Sequence, residues 1–324
     1  MDNVSNGVAR ACYKDQKLDN GLAFLEIESQ AAYPDKVQAY AVGMLEGTMT
    51  WMNIYSQWIN TIQSFCDKNE KFCIWLRDVI KNNQMNIMAM AEEKGSNDHY
   101  LYQIQLFYYQ LAGLELGFQK GVKRARKDYE IPTEDFLLLN SPADIEDLKL
   151  YYNAFVDEEA NIELDPTTKS KMILKILDHN GKANILFGHS TAGDYNAMLK
   201  IVKKYRFRFH YGPGLKNNLV TNTDITFTSY PGSIASTDDF YILRGKQTKL
   251  LVGGVRILNN NSNLLRSIDF LGTVFMSARV MAANRLAHNG KSFSKILSRD
   301  PGNIAMKVST VFTSQLFLLL SYFL

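Results

Sequence analysis

Apolar positions recur at helical spacing through most of the first half of the chain and mostly alternate through the second half. Residues 21–29, GLAFLEIES, read as an early strand. Pro34-Asp35 opens a long helical pattern to about Ile62, with Val37, Ala41, Met44, Leu45, Met52 and Tyr55 on one face. A second helix is predicted from Ile74 to Glu93, where Leu76, Val79, Ile80, Asn83, Ile87 and Met90 keep near-helical spacing. Gly95 is placed to end it in a left-handed turn. A third runs from His99 to about Lys127 and ends in KGVKRARK, positive charge that suits the carboxyl end of a helix dipole. Ser141-Pro142-Ala143-Asp144 has the form of an N-cap, a proline at the first helical position and an early acidic residue, and predicts a short helix through Leu148.

From about Met172 the period changes. MILKILDHNGKANILFGH is two strand-like runs around Asn180-Gly181, a dipeptide that accepts the positive φ of a type I′ turn. Residues 194–205, DYNAMLKIVKKY, read as an amphipathic helix. RFRFHY, DITFTSY and DFYIL read as strands, KQTKLLVGGVRIL as one or two more, and residues 264–287 as a helical pattern. The expected class is α+β: a mainly helical segment over 1–169, an antiparallel-sheet core over 170–307 and an apolar tail over 308–324.

Composition narrows this picture. The chain has 324 residues, 36 basic against 33 acidic, a formal charge of +3, which points away from nucleic acid as a partner. With 46% hydrophobic and 21% charged residues it can bury a core. Three cysteines are too few for a disulfide scaffold or a zinc finger, and no metal-ligand spacing or phosphate loop stands out, so neither metal nor cofactor is expected. Cys66 and Cys73 are close enough in sequence to bridge, or to lie reduced in the core. Asn3 and Asn260 open glycosylation sequons. The first residues show neither a basic nor an apolar region of a signal peptide. The uncharged tail, VSTVFTSQLFLLLSYFL, is slightly short for a membrane span of about 20 residues. It reads as a buried strand or helix, a tail anchor, or the end of a lipid-anchor signal.

Candidate chemistry comes from the hairpin. If Asn180-Gly181 is the turn, Met172 faces His189 and Ser170 faces Thr191. Side chains two apart share a face, so Ser170, Met172, Leu174 and Ile176 lie with Ile185, Phe187, His189 and Thr191. That face is apolar through its middle and carries a hydroxyl, a threonine and an imidazole at its open end, which is either a site or a strand end meeting water.

These residues belong to a longer resemblance. LEIES, DKVQAYAVGMLEGTMT, the FC–FC loop, YQLAGLELGF, DFLLLNSPADIEDL, FGHSTAGDYNAMLKIVKKY, SYPGSIASTDDFYIL and VMAANRLA occur in order, and together the chain resembles the phospholipase B-like proteins. The resemblance implies the N-terminal-nucleophile (Ntn) hydrolase fold with an αββα core, a lysosomal or secreted glycoprotein, self-cleavage before a nucleophile, and hydrolysis of acyl ester or amide bonds. It puts the nucleophile at Ser170, after Lys169, with His189 orienting it and Thr191 at the substrate. A phospholipid or acyl amide is then the partner, with peripheral membrane contact. Three features depart from the family: serine between two lysines in place of cysteine, Ala192 in place of a tryptophan, and KILSRDPGNIAMKVST in place of an Asn-rich segment. They leave open a catalytically inactive, shortened scaffold that binds lipid or protein. A different enzyme reading takes Gly188-His189-Ser190-Thr191-Ala192 as a nucleophile elbow, with Ser190 served by Asp238 or Asp239 and His288.

Overall fold

The computed structural model describes residues 7–157, 159–163, 170–179, 182–191, 195–214, 216, 218–238, 240–257, 266, 268–299, 306–313 and 316–318. The Asn180-Gly181 turn, Asn3, Asn260, Lys169, Ala192 and Asp239 lie outside them. The architecture is α+β. Strands β1 (Ala9–Gln16) and β2 (Leu22–Ser29) are joined through a one-turn helix, α1 (Lys17–Asn20). Helix α2 (Asp35–Trp58) continues through a π-helical turn (Ile59–Gln63) into α3 (Ser64–Cys66). Then come α4 (Glu70–Lys94), α5 (His99–Arg124), α6 (Thr133–Leu138) and α7 (Pro142–Phe155). The second half supplies β3 (Ser170–His179), β4 (Lys182–Thr191), β5 (Ile201–Arg206), β6 (Asn222–Ser229), β7 (Phe240–Gly245) and β8 (Lys249–Ile257). Helices α8 (Met276–Leu286) and α9 (Gly290–Leu297) and strands β9 (Met306–Thr313) and β10 (Leu316–Leu318) follow.

One sheet has the order β1-β2-β5-β6-β7-β8-β9-β10, antiparallel except where β2 and β5 run parallel. It therefore draws strands from both halves of the sequence, and the first part of the apolar tail is a strand paired along β8. One face, carrying Ala23, Leu25, Ile27, Lys203, Tyr205, Ile225 and Phe227, is buried under the helices. The β3–β4 ribbon is a separate two-stranded sheet against the other face. Among the described residues this makes three layers: helices, sheet and ribbon.

Helices α2 and α5 cross almost backbone to backbone. A Cβ on Gly43 would meet the Gln110 carbonyl oxygen at 1.9 Å, one on Gly47 that of Leu114 at 2.1 Å, and ones on Gly113 and Gly117 those of Tyr40 and Met44 at 2.1 and 2.2 Å. This corrects the face expected for α2. Its buried side carries Gln38, Ala39, Val42, Gly43, Glu46, Gly47, Thr50 and Ile54, whereas Val37 and Met52 are exposed. The apolar stripe misled because the closest contact is made by residues with no side chain. Gly47→Ala should lower stability by about 1–3 kcal/mol or more, because carbonyls on a packed helix have nowhere to move. A denaturant melt of the variant checks it.

Other expectations change too. Residues 194–205 hold a single 3₁₀ turn (Tyr195–Ala197) and then β5, not a helix. Ile201, Lys203 and Tyr205 alternate inward, a strand pattern hidden because one inward residue is lysine. Within the stretch 264–287 expected to be helical, residues 268–275 are not, and α8 starts at Met276. Gly95 has φ −62°, so no left-handed turn ends α4. Helix α7 runs on to Phe155, and the Ser141 hydroxyl donates to the Leu137 carbonyl at 2.9 Å instead of capping it. Strand β1 has no counterpart in the sequence reading, because none of its residues is fully buried and ARACYKDQ offers no apolar run.

Cys66 and Cys73 form a disulfide, Cα–Cα 5.6 Å, that ties the end of α3 to the first turn of α4. Asp98 caps α5, accepting from the Tyr100 and Leu101 amides at 3.0 and 3.2 Å, and pairs with Arg299 beyond α9. Burial pushes its carboxyl up, but the Arg299 guanidinium and the helix amides outweigh it and hold it below the usual carboxylate range. A depressed folded pKa gives stability that is present above the unfolded value and lost as pH falls through the folded one. Asp98→Ala should therefore cost about 0.5–2 kcal/mol near neutral pH. The difference from the parent should shrink in melts taken progressively below about pH 4.

Candidate functional site

The ribbon has the register that a two-residue turn at 180–181 requires. Ser170 pairs with Thr191, Met172 with His189 and Leu174 with Phe187. Lys171, Ile173 and Lys175 of β3, with Leu186 and Ser190 of β4, are exposed, while Met172, Leu174, Phe187, His189 and Thr191 are partly covered. Ser170 occupies the first position of β3, directly across from Thr191.

Glycines in β8 let the ribbon settle onto the sheet. A Cβ on Gly253 would lie 2.4 Å from the Phe187 ring and 3.2 Å from the Met172 sulfur. Phe187 stacks on Phe240 of β7, ring centroids 5.7 Å apart. The His189 ring lies beside both phenylalanines, at 6.3 and 6.4 Å. Its Nε2 is 2.8 Å from the Gly254 carbonyl oxygen. A carbonyl only accepts, so Nε2 carries the proton, and of the two neutral tautomers this contact selects the one whose Nδ1 is the acceptor. That is the form a proton-accepting or orienting histidine needs.

Thr191 leads to a part of the site that sequence reasoning missed. Its hydroxyl donates to the Asp238 carbonyl at 3.4 Å. Asp238 lies in the loop between β6 and β7, whose residues Pro231–Ser236 are buried. The loop is pinned from several sides. Asn140 Nδ2 donates to the Gly232 carbonyl at 2.8 Å, and the Ile234 amide donates back to Asn140 Oδ1 at 2.8 Å. The Ser229 hydroxyl donates to the Ala235 carbonyl at 2.6 Å. Lys203, wholly buried, donates to Glu46 Oε1 at 2.7 Å and to the Tyr230 and Ser233 carbonyls at 2.9 and 2.5 Å. Tyr205 donates to Glu46 Oε2 at 2.5 Å. Burial pushes the Lys203 ammonium below the usual lysine range even beside Glu46, and pushes the Tyr205 phenol well above its own. The inward Lys203 of β5, inside a stretch read as an amphipathic helix, was the signal for this anchor.

The Asp238 carboxylate is itself buried, and among the described residues neither of its oxygens receives a hydrogen bond. Lys200 Nζ lies 3.3 Å from Oδ2. Burial and the Asp238 charge push the nearby Tyr230 phenol upward.

The nucleophile-elbow reading fails on this geometry. That motif needs a strand, a tight turn and a helix. Ser190 instead lies within β4, on its exposed row, and β5 follows after one short turn. His288 sits elsewhere, its ring 3.4 Å from the Thr221 hydroxyl and 3.5 Å from that of Tyr211. No helix among the described residues is long and apolar enough to cross a membrane.

Comparison with known proteins agrees with the resemblance carried by the sequence. A family model for Phospholipase B matches residues 9–316. The chain is 45% identical to the "Putative phospholipase B-like lamina ancestor" of Drosophila melanogaster, over 95% of this chain and 50% of that protein. It is 33% identical to the human "Putative phospholipase B-like 2", over 87% of this chain and 46% of that protein. It is 29% identical to "Phospholipase B-like protein C" of Dictyostelium discoideum, over 92% and 51%. The chain thus spans about half the length of these relatives. A match along nearly all of its own length, with the ribbon and buried loop inside it, places the chain in the phospholipase B family.

Proposed function

We propose that the chain carries the nucleophile of a phospholipase B-like hydrolase, cleaving acyl ester or amide bonds of phospholipids from a self-processed N-terminus at Ser170. The observation that carries this is the ribbon register: the start of β3, His189 and Thr191 come to one end of one face, over the sheet. In the processing step the Ser170 hydroxyl oxygen attacks the Lys169 carbonyl carbon. The C–N bond breaks, the hydroxyl proton passes to the departing nitrogen, and an ester remains. Water hydrolyses the ester, giving a Lys169 carboxylate and restoring the hydroxyl beside a free α-amine. That amine, with a reference pKa of about 7.7–8.0, then serves as general base for the hydroxyl. His189 orients the hydroxyl and Thr191 meets the substrate. An Ntn-type αββα core is the fold this chemistry would use. The disulfide and the sequons at Asn3 and Asn260 favour a lysosomal or secreted glycoprotein, since disulfides persist in oxidising compartments.

A second reading is an inactive scaffold that binds lipid or protein. It is favoured by the outer face of the ribbon, where Ile173 and Leu186 are 69% and 55% exposed beside Lys171 and Lys175. A denaturing gel with N-terminal sequencing of purified protein separates the two. Fragments meeting at Lys169–Ser170 support the hydrolase; one uncut band supports the scaffold.

A further inference from the structure

The described residues leave one buried carboxylate beside the ribbon's open end without a hydrogen-bond donor. Asp238 is 4% exposed, and both its oxygens are sealed from solvent with no donor on either. A carboxylate in such surroundings is costly to bury unless cations or donors meet it. Lys200 supplies one cation, 3.3 Å from Oδ2. The structure around Asp238 is rigid, because Lys203 and Asn140 fix the loop that carries it and the Asp238 amide donates to Ser236 Oγ at 3.2 Å. What lies next to it is Thr191, whose hydroxyl reaches the Asp238 carbonyl, and across from Thr191 is position 170. Paired strand residues are about 4.5–5.5 Å apart at Cα, so the backbone nitrogen of residue 170 and residue 238 are both neighbours of Thr191.

We propose that Asp238 is a positioning residue that receives the α-ammonium created when the chain is cut before Ser170. This rests on the self-processing reading above and goes beyond it. One carboxylate would then lie between two cations, Lys200 and the new terminus. Among the described residues, the charged groups facing this point are Asp238 and Lys200, with the ionisable Tyr230 and His189 rings nearby and Lys171 on the opposite, outer face of the ribbon. Of these only Asp238 stabilises an ammonium as an anion. Its removal leaves Lys200 as an unopposed like charge. The α-amine of the processed parent should therefore hold its proton to higher pH than the reference amine, and Asp238→Asn should lower that pKa by about 1 unit or more.

The test uses the full purified chain and reads the amine directly. The protein is reductively methylated over a pH series, and modification of the peptide beginning at Ser170 is followed by mass spectrometry. The expected result is a midpoint above about 8 in the parent and a lower midpoint in Asp238→Asn. Where hydrolysis is measurable, the acidic limb of its pH profile shifts downward by the same amount. Parent and variant midpoints that coincide, in protein that has been cut, overturn the role of Asp238 and leave the processing reading intact. A single uncut band overturns both. If Asp238→Asn does not fold, the parent decides alone: a midpoint at or below the reference value is incompatible with an anion holding the ammonium.

Discussion

Ser170→Ala leaves the chain as one uncut band and abolishes hydrolysis of acyl ester substrates. The variant has no hydroxyl oxygen to attack the Lys169 carbonyl, so no N-terminus forms at residue 170 and no nucleophile stands there for substrate. Where a nucleophile and its base act as a unit, losing either costs as much as losing both, so the fall in kcat should be on the order of 10⁴-fold or more. Ser170→Cys is the informative partner, since a thiol is the stronger nucleophile. It should process and turn over at least as well as the parent. His189→Ala should process more slowly but keep its fold, because among the described residues the ring hydrogen-bonds only to a carbonyl on a glycine strand. Alanine and cysteine variants that both remain uncut, together with an uncut parent, would replace the hydrolase by the scaffold.

Lys203→Met unfolds far more readily than the parent, by about 3–5 kcal/mol, because it leaves Glu46 as an uncompensated buried charge. Thermal denaturation should move down by on the order of 10 °C. Adding Glu46→Leu removes the stranded charge and restores part of the loss. Recovery stays incomplete: the Tyr230 and Ser233 carbonyls still lack the Lys203 ammonium, at about 1 kcal/mol each, and Tyr205 loses its acceptor. A double-mutant cycle measures this coupling. A double variant no more stable than Lys203→Met alone would show that the lysine acts through the loop carbonyls and not through Glu46.

These expectations differ in how far the sequence carries them. The ribbon was legible because an Asn-Gly turn between apolar runs sets register to the residue, and register alone brings 170, 189 and 191 together. Helices α4 and α5 were legible for the same local reason, periodicity over many turns. Asp238 was not. It was considered only as a partner for Ser190, and its burial follows from a loop held by Lys203, Asn140 and Ser229, residues distant in sequence or on other elements. The inward face of α2 was hidden as well, because glycine carries no hydropathy signal and close approach depends on the partner helix.

What the sequence settled by itself was the family, the α+β class and the pairing within the ribbon, all properties of neighbouring residues or of long ordered matches. The tertiary structure alone decided that Lys203 points inward from a strand, that two helices meet through four glycines, and that the loop residue whose main-chain carbonyl Thr191 reaches carries a buried carboxylate. Each of those depends on desolvation and contact between segments far apart along the chain, and a charge or a glycine reads the same in sequence whether it ends in water or in the core.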